Sequence, residues 1–169
     1  VLSVTTFTAV NAQSAFKKSE KLLEGTLSYT KETDTKATYS VAPSVGYFLT
    51  DRFAMGVFAE VGKADSTKTG NIGVYGRCYM LNVGKHLKAY SQLGVASNST
   101  TVGSTKATSV CANLGLGANY FVKSNLALTM HVADLVSYTS QDSHSVLSLG
   151  IDGVTNPFAL TSFGVMYKF

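Results

Sequence analysis

Apolar and polar residues alternate along most of this chain, yet no apolar run reaches the roughly eighteen residues that a membrane-crossing helix needs. Period two marks a strand with two unlike faces. Eight segments carry it, at about 22–30, 37–48, 52–63, 70–81, 86–97, 107–120, 126–138 and 157–169. In the third, Phe53, Met55, Val57, Ala59 and Val61 oppose Ala54, Gly56, Phe58, Glu60 and Gly62. In the last, Phe163, Val165, Tyr167 and Phe169 oppose Ser162, Gly164, Met166 and Lys168. Each segment holds the roughly 9–11 tilted residues that cross a bilayer as a strand. Connectors alternate too: LTD, LNVGK and FVKSN are short, whereas 31–36, 63–69, 97–105 and 139–156 are longer and polar. The expected fold is all-β: an eight-stranded antiparallel up-and-down transmembrane β-barrel over residues 22–169, with both termini on the short-turn, periplasmic side. Segment 145–152 also alternates and extends the sheet above the membrane within the last loop. Asp134 is the misfit, pointing at lipid near the outer rim, and Phe158 and Leu160 would point into the lumen.

Alternation alone leaves open whether the apolar face looks outward to lipid or inward, as in a soluble lipocalin-like barrel. Three features favour lipid. The polar faces are rich in Gly, Ser, Thr and Asn and poor in charge; only 14 % of the chain is Asp, Glu, Lys or Arg, against about a quarter in soluble domains. Aromatic residues gather at strand ends by the short turns, as a girdle of Tyr47, Phe48, Phe53, Tyr120, Phe121, Tyr167 and Phe169. The final strand ends on Phe169 in an outward stripe. The net charge of +4 is spread over scattered lysines with no basic stripe, so no nucleic-acid partner is expected. Cys78 and Cys111 fall on opposite faces of non-adjacent strands and are expected to be free thiols. Residues 1–12, VLSVTTFTAVNA, read as the remnant of a signal peptide with Gln13 opening the mature chain, and 13–21 as a polar lead-in.

The ending SFGVMYKF resembles the terminal signal by which the barrel assembly machinery recognises outer-membrane proteins. FLTDRFAMGV at 48–57 and GVYGRCYM at 73–80 resemble strand patterns of the outer-membrane protein β-barrel domain family, similar to OmpX and to the membrane half of OmpA. The resemblance covers about residues 22–169. It implies a bacterial outer-membrane protein meeting lipid, lipopolysaccharide and the assembly machinery. Phe163, Val165, Tyr167 and Phe169 would then form the assembly signal.

The inward stripes place Glu24, Glu60, Arg77, Lys88, Gln92, His131 and Lys168 in the lumen. Buried charges need partners, so a structural ion network is expected, centred on Glu60 and Arg77 of adjacent strands. An eight-stranded barrel is just filled by its side chains, which disfavours a pore. Some small outer-membrane barrels modify lipid A with a Ser and His pair; Ser143, His144, His131 and Asp142 are the candidates here, but no motif orients them as a triad. No cofactor or metal site is read. The reading is a monomeric, non-catalytic surface scaffold, with the lipid A-modifying enzyme and the soluble ligand-binding barrel as alternatives.

Overall fold

The computed structural model describes residues 16–30, 38–64, 67–141, 144–152 and 162–169. Nine strands follow in order: β1 (Lys21–Thr30), β2 (Thr38–Phe48), β3 (Phe53–Ala64), β4 (Thr67–Val83), β5 (Leu87–Val102), β6 (Thr105–Lys123), β7 (Leu126–Gln141), β8 (His144–Asp152) and β9 (Ser162–Lys168). All pairings are antiparallel. Consecutive strands pair from β1 to β7, β7 pairs with β9, and β9 returns to β1. This closes an eight-membered ring of β1 to β7 and β9. The up-and-down order follows because each connection is too short to skip a strand.

The ninth strand refines the expected ending. β8 pairs with β7 over Gln141 to Asp134, and β9 pairs with the same edge of β7 over His131 to Leu126. The two strands run in the same direction, so they lie in line as two pieces of one wall. The segment expected to extend the sheet is therefore β8, and the eighth barrel strand is β9, described from Ser162 onward. Phe158 and Leu160 lie outside the described residues.

Two connectors expected to be long loops differ. Residues 97–105 continue β5 to Val102 and start β6 at Thr105, with only Gly103 and Ser104 between. Gly103 has φ +59°, the left-handed conformation that glycine supplies without steric cost. Likewise β3 runs to Ala64 and β4 starts at Thr67. These ends are polar on both faces, so alternation stops there. Thr still suits a strand through its β-branch, and the ladder carries on.

The outward faces are apolar. Leu23, Val45, Val57, Val74, Leu93 and Leu128 are each between 48 and 56 % exposed. On β3 this stripe runs from Phe53 to Val61 before Lys63. Nine residues rising about 3.3 Å each at a tilt of about 40° give a band about 20 Å tall. Lys63, Lys68 and Lys106, all exposed, bound it at the far rim. Cys78 is exposed on β4, Cys111 is half-buried on β6, and both are free.

Candidate functional site: the barrel lumen

Cross-strand pairs of an aromatic with a glycine shape the inner wall. Tyr75 lies opposite Gly56, Phe58 opposite Gly73, and Tyr90 opposite Gly117. A Cβ on Gly56 would come within 2.5 Å of the Tyr75 ring. The missing side chains let these rings lie against the wall, leaving the centre of the lumen to other groups.

At the short-turn mouth the fill is aromatic. Phe16, from the segment before β1, is only 2 % exposed. Its ring stacks on Phe48 at 4.4 Å and sits 4.2 Å from Tyr79 and 5.4 Å from Phe121. Phe48 and Phe121 were both expected in the outward girdle. They instead occupy inward positions of their strands and close the mouth, while Tyr47, Phe53, Tyr120, Tyr167 and Phe169 do face outward. The segment that carries Phe16 reads as polar because six of the eight residues in SAFKKSEK are polar or charged. Lys168 Nζ donates to Glu20 Oε1 at 3.0 Å beside this plug. Lys88 is also buried near this end.

Above the plug lies a closed ring of hydrogen bonds. Arg77 donates to both carboxylate oxygens of Glu24, at 2.8 and 3.1 Å, across the lumen from β4 to β1. Its Nε donates to Gln92 Oε1 at 2.9 Å. Arg77 also reaches Tyr79 OH at 3.4 Å, and Tyr79 donates to Asn119 Oδ1 at 2.9 Å. Asn119 Nδ2 donates to Thr129 Oγ1, which donates to Glu24 Oε2 at 3.2 Å. The guanidinium lies 4.1 Å from the centre of the Tyr90 ring and 5.2 Å from that of Tyr75, within cation–π range. Full partnering of this kind is what a charged pair needs in a low-dielectric interior.

Glu24, Arg77 and Gln92 thus meet as expected, but Glu60 does not join them. In the β3–β4 register Glu60 sits opposite Asn71, and Arg77 sits opposite Ala54. Six residues of β3 separate the two levels, so Glu60 accepts instead from Asn71 Nδ2 at 2.9 Å. Both residues do face the lumen, but parity gives only the face, and the turn geometry gives the level along the barrel.

His131 lies higher still. Bulges shift the β6–β7 register on either side of Leu116. The one at Val132 turns Asp134 from the expected lipid face into the lumen, where it accepts from Asn113 Nδ2 at 3.1 Å and meets His131 Nε2 at 3.2 Å, and the one at Leu135 restores the original faces. A bulge adds one residue and so reverses the faces beyond it. Glu60, His131, Asn113 and Ser162 line a cavity of about 210 Å³ floored by Arg77 and Glu24. Among the described residues the lumen is therefore packed around Arg77 and holds a cavity above it, whereas filling throughout is the expectation from strand number. Of the catalytic candidates, Asp142 and Ser143 lie outside the described residues, and His131 contacts Asp134. No group of three or more His, Cys, Asp or Glu is placed to hold a metal among the described residues.

No family model matches this chain, and no curated protein does. Solved structures do match. The N-terminal β-barrel domain of Pseudomonas aeruginosa OprF aligns with a TM-score of 0.62 at 16 % identity, covering 91 % of this chain and 99 % of that one. Neisserial surface protein A aligns at 0.56 and 18 % identity, covering 92 % and 98 %. The outer membrane protein OprG of Pseudomonas aeruginosa aligns at 0.51 and 15 % identity, covering 91 % and 97 %. At such identities the likeness is one of fold, and with the closed ring of strands and the apolar outer face it leads to one conclusion: this chain has the fold of the small eight-stranded outer-membrane β-barrels.

Proposed function

We propose that the chain is an integral outer-membrane barrel that serves as a structural and surface-interaction scaffold, with the short-turn rim in the periplasm. The observation that carries this reading is the inversion of polarity. The exterior presents Leu, Val, Met and Ile in a continuous band, while Glu24 and Arg77 are 6 % and 2 % exposed inside. A soluble ligand-binding barrel has the opposite arrangement. Exposed apolar area on this scale must be covered, and a bilayer about 25 Å thick at its apolar core covers the band. Both Phe16 and Phe169 lie at the short-turn rim, where Phe169 and Lys21 exchange backbone hydrogen bonds. The aromatic plug and the ring around Arg77 support a scaffold rather than an open pore.

Phe163, Val165, Tyr167 and Phe169 all point outward from β9, between 43 and 63 % exposed. That stripe supports their role as the assembly signal, and it leaves lipid and lipopolysaccharide as the contacts of the finished, monomeric barrel. Heat-modifiable migration on a detergent gel tests the membrane reading. The folded barrel should run ahead of the boiled chain and should require detergent or lipid. A protein that stays folded in buffer alone overturns it. For the assembly signal, deleting Phe169 should lower the amount recovered in the outer membrane several-fold with the total expressed unchanged.

A further inference from the structure

The lysines that look scattered in sequence converge in space. Each of the three short turns carries one cation: Arg52 between β2 and β3, Lys85 between β4 and β5, and Lys123 at the end of β6. Lys17, Lys18 and Lys21 stand beside the start of β1, on the remaining quarter of the same rim. All six are exposed. The acids of this rim are few. Glu20 is engaged by Lys168, and Asp51 accepts from the Lys18 backbone N–H at 2.7 Å. The chain has 14 Lys and Arg against 10 Asp and Glu, a net charge of +4. Among the described residues, seven cations, Lys168 included, and only two anions belong to this rim, while the five cations and four anions elsewhere nearly cancel. Most of the positive excess among the described residues is thus a collar at one end of the barrel. It lies just beyond the outward Tyr47, Phe53, Tyr120 and Tyr167, at the depth where aromatic side chains mark the headgroup level.

We propose that this collar binds anionic phospholipid headgroups of the leaflet on the short-turn side, an inference that rests on the membrane reading above. The cations encircle the barrel at each turn instead of forming one patch. That arrangement fits an annulus of headgroups and not a single docked protein. A Lys or Arg held at an anionic surface favours association by roughly fivefold, about 1 kcal/mol.

The test uses the full chain in nonionic detergent, first shown to be folded by heat-modifiable migration. Equimolar phosphatidylglycerol and phosphatidylethanolamine are added and the retained lipids are counted by native mass spectrometry. The wild type should retain phosphatidylglycerol preferentially, by at least about threefold, and lose the preference in ~0.5 M salt, where exposed charges are screened. The quadruple variant Lys21→Gln/Arg52→Gln/Lys85→Gln/Lys123→Gln should lose it as well. The far-rim control Lys63→Gln/Lys68→Gln/Lys106→Gln should keep it. Equal retention of both lipids by the wild type overturns the proposal, as does equal loss in the control. If the wild type instead shows no lipid preference but binds isolated peptidoglycan in a collar-dependent way, the partner is the cell wall and the lipid assignment falls. A wild type that folds without detergent removes the membrane reading itself, an outcome read at the first step and separate from the others.

Discussion

Arg77 is enclosed by Glu24, Gln92, Tyr79, Tyr75 and Tyr90, and little of its surface meets solvent. Removing one partner leaves the other charge buried and uncompensated, which costs about 3–5 kcal/mol. Glu24→Gln and Arg77→Met should each lower the unfolding free energy of the vesicle-inserted barrel, read from urea titration, by that much. The double variant should lose less than the sum, since the two residues act on one interaction. A sum that is strictly additive would mean the pair is not coupled. The glycines opposite the rings make a second case. A Cβ on Gly117 would collide with the Tyr90 ring. Gly117→Ala should therefore cost about 1–3 kcal/mol by overpacking, read from the same unfolding curves, whereas Gly70→Ala has open space at its Cβ and should change little. At this scale the sequence showed which side chains face inward, because parity is enough for that. It did not show that Arg77 would choose Glu24 over Glu60. The contact crosses the lumen between β1 and β4, strands that are not neighbours, and no local spacing encodes it.

At the scale of elements, strand existence and order were readable in the alternation, and most boundaries fell within a few residues. The errors share one cause. Where a strand leaves the apolar band, both faces are polar and its signature resembles that of a loop. SNSTTVGST is such a case: it forms the end of β5, a two-residue turn and the start of β6. The turn depends on Gly103, whose positive φ costs other residues roughly 1–2 kcal/mol. Gly103→Val should destabilise the hairpin by about that amount, while Ser104→Ala should not; hydrogen exchange of the Val102 and Thr105 amides would report it locally. β7 was misread for a different reason. Its bulges reverse the faces partway along, so Asp134 seemed to point at lipid. A single acidic residue on an otherwise apolar stripe was itself the clue that an extra residue had entered the ladder.

For the whole molecule, the quality of the polar face, which is small, poor in charge and glycine-rich, pointed to inside and outside more than its period did. The plug was not legible. Phe16 lies among Lys and Ser, and its partners Phe48, Tyr79 and Phe121 come from three distant strand ends. The ring of strands also carries a weakness of its own. β4 and β5 share sixteen residue pairs, but among the described residues the β1–β9 ladder has six, Leu22 to Leu27 with Lys168 to Phe163. These partners are separated by most of the chain, so their meeting carries a large loop-closure entropy and few bonds to offset it. The barrel therefore has a clasp. It should fasten last during insertion and loosen first on heating. Amide exchange in vesicles should show β9 and the facing edge of β1 exchanging well before β5; equal protection of the two regions would refute this. Small differences in how firmly that clasp holds would then set the lifetime of the folded barrel, even though the joints from β2 to β7 are longer.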